Sequence, residues 1–133
     1  MAYVLTDLVL DAFSMEDFTF TYFITGNPDV TDIVGKAVAI DTSTRGAVKL
    51  AADGEAVFGR IFQYEDRTQQ GGGKVVSVER KFRKRLPRTD AAVAIGATVV
   101  GAGNGRVRAG GTANHLDNVV IDVGADYVVV EKF

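Results

Sequence analysis

Apolar side chains recur at every second position through most of this chain, and no other feature constrains its fold as much. Phe18, Phe20, Tyr22 and Ile24 share one phase, while Thr19, Thr21 and Thr25 take the other and Phe23 breaks step. Val38 and Ile40 repeat the spacing, as do Val76, Val78 and Phe82. Alternation by two marks a strand with one face buried. Aromatics interleaved with threonines suit that pleated, half-buried surface.

Turn residues punctuate the alternation about every ten positions. Gly26-Asn27-Pro28-Asp29, Ala52-Asp53-Gly54-Glu55, the glycines 71–73 and Asn104-Gly105 all read as reversals, the last as a two-residue hairpin. Strands are expected over residues 17–24, 36–41, 47–51, 57–64, 74–86, 92–100, 106–108, 119–123 and 127–132. Within 57–64, Phe58, Phe62 and Tyr64 fall on one side, Val57 and Ile61 on the other. No long capped helix is visible. The expected fold is therefore all-β: a small β-barrel or sandwich of about nine short antiparallel strands.

Residues 17–133 read as a single β domain. Residues 1–16 are ambiguous. Leu5, Leu8, Val9 and Ala12 fall at helical spacing, yet Tyr3, Leu5 and Phe13 make no clean stripe. A packed first element and an extended arm both stay open. As an N-terminal arm, the segment offers Tyr3, Leu5 and Leu8 as candidate partner contacts.

The chemical inventory is sparse. The chain has no cysteine, no tryptophan and one histidine. That removes disulfides and thiolate metal sites together. His115 sits in a polar loop with no second imidazole to complete a zinc set, and no nucleophile beside it. Gly101-Ala102-Gly103-Asn104-Gly105-Arg106 has the wrong spacing for a dinucleotide loop, and a strand pattern follows it. Gly71-Gly72-Gly73-Lys74 lacks the flanking residues of a phosphate loop. Glu16-Asp17 and Glu65-Asp66 are adjacent on strands, so each pair points to opposite faces. No catalytic group, metal, cofactor or small-molecule substrate is expected, and the chain reads as a binding protein rather than an enzyme. No apolar stretch is long enough for a membrane helix. No basic region precedes an apolar one at the N-terminus, so a secretory signal is not expected.

Charge is polarised. The net charge is −2, but residues 1–66 carry 11 acidic and 4 basic side chains, and residues 67–133 carry 6 and 11. The halves sum to −7 and +5. The strongest local feature is Arg80-Lys81-Phe82-Arg83-Lys84-Arg85-Leu86-Pro87-Arg88, with six basic residues in nine. On a strand, Arg80 and Lys84 point one way, and Lys81, Arg83 and Arg85 the other. Unpaired, such a stretch cannot enter a core, so an edge strand or a basic β-hairpin leaving the body is expected. Three readings stay open for Arg80, Lys81, Arg83, Lys84, Arg85 and Arg88. They are a solvated edge that blocks aggregation, a docking patch for an acidic protein surface, and phosphate contacts. Nucleic acid is the weakest, because only Phe82 supplies a stacking platform.

Three segments carry a resemblance: Gly35-Lys36-Ala37-Val38-Ala39-Ile40-Asp41, Gly46-Ala47-Val48-Lys49-Leu50-Ala51 and Gly54-Glu55-Ala56-Val57-Phe58-Gly59-Arg60-Ile61. Ile95-Gly96-Ala97-Thr98-Val99-Val100 and Asp122-Val123-Gly124-Ala125-Asp126-Tyr127-Val128-Val129-Val130 extend it to the C-terminus. Together they resemble the capsid decoration (cement) proteins of tailed bacteriophages. The likeness implies a small β-rich protein without enzymatic activity. It implies binding to the outside of the expanded capsid, at junctions between major capsid proteins, as a trimer or dimer that often hooks the shell with an N-terminal arm. It implies assembly in the host cytoplasm and residence on the virion exterior. Residues 74–88 have no counterpart in that pattern.

Overall fold

The computed structural model describes residues 13–14, 19–110 and 117–133. Among them eleven strands follow one another: β1 (Phe13–Ser14), β2 (Thr19–Ile24), β3 (Ala37–Ile40), β4 (Ala47–Leu50), β5 (Gly59–Arg67), β6 (Gly73–Glu79), β7 (Phe82–Pro87), β8 (Val99–Gly103), β9 (Arg106–Ala109), β10 (Asn118–Val123) and β11 (Tyr127–Lys132). The chain is all-β, as its period-two spacing predicts. The arm expected over residues 1–16, with Tyr3, Leu5 and Leu8, lies outside the described residues except for β1. His115 lies outside them too.

Five strands close into a barrel in the order β2-β4-β3-β5-β6. Closure leaves these strands no free edge. Four of the ladders are antiparallel, but β2 and β4 run parallel through Phe23↔Ala47 and Ile24↔Val48. This corrects the expectation of antiparallel pairing throughout. The reason is topological: β3 comes between β2 and β4 in sequence but lies on the far side of β4. Asp41 pins this short seam. Its carboxylate accepts from Thr25 Oγ1 at 2.6 Å, just past the end of β2. It also accepts from Ser43 N at 2.9 Å and Ser43 Oγ at 2.6 Å, in the β3–β4 turn. The Ser43 hydroxyl, then Thr25, then the Ser43 amide stabilise the carboxylate and lower its pKa to about 2.

Ile24, Ile33, Val38, Val48, Ile61, Val76 and Val78 fill the barrel. A second core lies outside its wall. There Ala37, Ala39, Ala51 and Val57 meet Phe82, Leu86, Val120, Val128 and Val130 from a sheet ordered β1-β7-β11-β10, and Val99 and Val107 from the β8–β9 hairpin. β3 is therefore buried on both faces, Val38 inward and Ala37 and Ala39 outward. Asn118 joins hairpin to sheet by acting as a strand: its Oδ1 accepts from Val99 N at 2.8 Å and its Nδ2 donates to Val99 O at 3.3 Å.

Asn104-Gly105 makes the expected hairpin turn, with both φ positive at 53° and 74°. Its tip docks on the barrel. Ala37 N donates to Gly105 O at 2.9 Å, and Gly105 N to Ala51 O at 3.2 Å. Gly101 approaches so closely that a Cβ there would sit 2.3 Å from Ala52 O.

Three expectations need correction. First, no basic hairpin leaves the body. β6 pairs with β2 and β5, whereas β7 pairs with β11 and β1, so the chain crosses from barrel to second sheet at Arg80-Lys81 instead of folding back. Second, the phase of β5 changes midway. A bulge between Ile61 and Gln63 takes up Phe62 as an extra residue, so Ile61 and Tyr64 serve the same core. Third, residues 92–100 form a strand only from Val99. The stretch before it pairs irregularly with β10, Gly96 N donating to Val120 O and Val120 N to Ala97 O.

Leu86→Ala should cost about 2–5 kcal/mol, since Leu86 is fully buried in the second core. Gly101→Val should destabilise by at least about 1–3 kcal/mol through overpacking. Urea unfolding reads both. For Asp41, the folded carboxyl lies below the ordinary 3.8, so its contribution is complete above that value and is lost as pH falls toward about 2. The stability gap between the parent chain and Asp41→Asn should narrow over that window.

Candidate interaction surface

β7 carries the basic run, and its neighbours decide what each charge does. Phe82, Lys84 and Leu86 share the inward phase. Phe82 and Leu86 enter the second core. Lys84 cannot do so unpaired, and Glu79 at the end of β6 meets it: Lys84 Nζ lies 3.1 Å from Glu79 Oε1. Arg60 Nη1 approaches the same oxygen at 3.6 Å. Glu79 is fully buried, and its Oε2 has no hydrogen-bond partner. Two strands of the barrel and one of the second sheet thus share one buried carboxylate.

Arg80, Arg83 and Arg88 are also bonded within the protein. Arg80 lies 3.7 Å above the Phe58 ring and donates from Nε to Phe58 O at 2.7 Å. Phe58 in turn meets Tyr22 edge-on, 5.4 Å between centroids. Arg83 pairs across the ladder with Glu131 at 3.2 Å. Arg85 is exposed and stacks over Tyr127 at 4.3 Å. Arg88 clamps a loop: its guanidinium donates to the carbonyls of Thr89, Ala91, Gly124 and Ala125 at 3.0–3.3 Å. Lys81 is exposed at the crossover. The strand lies between β1 and β11, so it is not the solvated edge that its charge density implies.

Sequence reasoning missed Glu79, Arg60 and Lys36. The first two hold the ionic junction, and Lys36 is a buried cation beside it. Period two places Glu79 opposite in phase to Val78, hence on the outer wall of the barrel. No sequence signal says that β7 covers that wall.

Two shallow grooves flank the junction. One, of about 350 Å³, lies between the barrel and the second sheet and includes Lys36, Arg60, Arg85 and Tyr127. The other, of about 340 Å³, runs past Ile40, Val57, Phe58 and Arg80. Large apolar side chains also stay on the surface. Phe20 and Phe23 on β2 and Phe62 on β5, the two strands that flank β6, are 49%, 50% and 46% exposed. Among the described residues no group of three His, Asp or Glu side chains could hold a metal ion, and no helix is long and apolar enough to cross a membrane.

The chain matches no protein-family model, and no curated protein matches it.

Removing the buried carboxylate strands two cations. Glu79→Ala should lose about 3–5 kcal/mol in urea unfolding. Pairing Glu79→Leu with Lys84→Met should recover part of that loss, because well-packed apolar groups replace a buried ion pair at little cost.

Proposed function

We propose that this chain is a structural virion protein: a decoration protein that binds the outer surface of a tailed-phage capsid and reinforces it. The observation that carries the reading is the set of half-exposed aromatics Phe20, Phe23 and Phe62 on β2 and β5, the strands either side of β6 in a closed barrel. Exposed apolar area of that kind is what an extended protein contact uses. The segments whose sequence resembles decoration proteins include β3 and β4, the start of β8 and most of β11, which contribute to both cores. The partner in this reading is the major capsid protein. Assembly as a homo-oligomer, a trimer or dimer, belongs to the same proposal. Many identical copies on a lattice would let modest contacts accumulate.

The internal bonds of the basic run favour this over nucleic-acid binding. Arg83, Lys84 and Arg88 hold Glu131, Glu79 and four carbonyls. Phosphate contacts would have to compete with those bonds.

In co-sedimentation, the chain should pellet with expanded shells and raise their disruption temperature. Phe23→Ser combined with Phe62→Ser should weaken retention about tenfold or more, as expected for central apolar anchors. Failure of the parent chain to associate with any expanded shell sinks the reading. An electrophoretic titration with DNA at low salt should show no shift.

A further inference from the structure

We propose that the docked β8–β9 hairpin is a covalent catch. While its tip sits on the barrel, the Asn104-Gly105 turn is inert; once the tip lifts, Asn104 cyclises and hydrolyses to an isoaspartate that cannot seat again.

Two dipeptides in the chain place glycine after an acid or its amide, Asp53-Gly54 and Asn104-Gly105. A backbone forms a succinimide most readily there, because glycine has no side chain to hinder attack by its own nitrogen. At Asn104 the Gly105 nitrogen bonds to the side-chain Cγ. The side-chain amide nitrogen leaves as ammonia, taking up the proton that the Gly105 nitrogen gives up. Water then cleaves one of the two ring C–N bonds. Cleavage at Cγ leaves aspartate; cleavage at the original peptide carbonyl leaves isoaspartate, with the main chain running through the former side chain. Among the other asparagines, Asn27 precedes a proline, whose nitrogen has no proton to give. Asn114 and Asn118 precede His115 and Val119, whose side chains crowd the attack.

Asn104 is exposed, but Gly105 is buried. The Gly105 N–H donates to Ala51 O at 3.2 Å, and its carbonyl accepts from Ala37 N at 2.9 Å. Turning the nitrogen onto Cγ breaks the first bond and strains the second. Nor is there slack around it, since a Cβ on Gly105 would lie 2.7 Å from Lys36 Cβ and 3.2 Å from Ala37 O. The second dipeptide lies across the same contact. Gly54 N donates to Gly101 O at 2.8 Å, and Gly101 N to Glu55 O at 2.7 Å. Asp53 Oδ1 accepts from Arg108 Nε at 2.8 Å. Each glycine nitrogen is thus held by the opposite side of one interface, and a single opening frees both. β8 and β9 form their own two-stranded sheet, so the hairpin can lift with its ladder intact. Isoaspartate adds one atom to the main chain of a two-residue turn. That displaces Gly105 from Ala51 and Ala37, and the lost ammonia makes the change one-way.

The test incubates the full-length chain in mildly alkaline buffer and follows Asn104 by peptide mapping and mass spectrometry, beside the blocked peptide acetyl-Ala-Gly-Asn-Gly-Arg-amide. The peptide should convert about tenfold faster or more, a ratio set by how rarely the docked tip opens. Gly101→Val, which wedges the hairpin off Ala52 O, should close most of that gap. If this variant does not fold, rising urea should carry the parent chain toward the peptide rate. Equal rates in parent chain and peptide overturn the catch, as does a rate that urea leaves unchanged through unfolding. The one-way step is read on chain converted in urea, purified as the isoaspartate form and returned to buffer. Hydrogen exchange at the Ala37 and Gly54 amides should be fast there. It should stay slow in Asn104→Asp, which carries the same charge without the extra main-chain atom. Protection that persists in the isoaspartate chain, or is lost equally in Asn104→Asp, overturns the proposal.

Discussion

Everything in this molecule turns on one short strand buried on both faces. β3 presents Val38 to the barrel interior and Ala37 and Ala39 to the second core. Alternating large and small side chains let the barrel wall double as the floor for another layer. The tight approach of the β8–β9 hairpin depends on the same thinness, with Gly105 hydrogen-bonded to Ala37 and Ala51. A bulkier outward residue on β3 would separate the layers and forfeit close packing on both sides at once.

The ionic junction is the second consequence of that layering. Where apolar contact ends, the barrel wall carries Arg60 and Glu79, and the covering strand brings Lys84. A buried carboxylate shared by two cations contributes less to net stability than to a unique arrangement of the layers, because any other register would leave a charge unpaired. Arg83 with Glu131 and Lys132 with Asp117 at 2.9 Å extend the same logic along the second sheet. The basic run thus acts first as internal scaffolding. Its outward remainder, Arg85 above Tyr127, joins Lys36 and Arg60 in a groove where cations from both layers converge.

Function follows from what the layering leaves outside. Barrel closure consumes the backbone donors of β2 to β6, and Asn118, Gly96 and Glu55 occupy the margins of β8 and β10. In the proposed reading, side chains therefore supply most of the contact surface, chiefly the half-exposed aromatics on the barrel. Strand addition, the obvious route for a β protein to join a neighbour, has few open edges here among the described residues.

The sequence alone determined the all-β class, since period two is a local property of each strand and survives any arrangement of strands. It determined the Asn104-Gly105 turn for the same reason, because two positive φ values are a demand on two adjacent residues. It also marked residues 80–88 as unable to enter a core unpaired, and that constraint holds. Tertiary structure alone decided the partners. Glu79 and Lys84 are near neighbours in sequence, but they meet because β6 and β7 belong to different sheets that pack face to face. Lys36, Arg60 and Arg85 converge from strands or strand ends far apart in the chain. The bulge at Phe62 belongs to this class too, since an extra residue is visible only against the strand it opposes. Alternation tells each side chain which of two faces it takes; it carries no information about what lies across that face, and pairing across layers is where this protein keeps its charges.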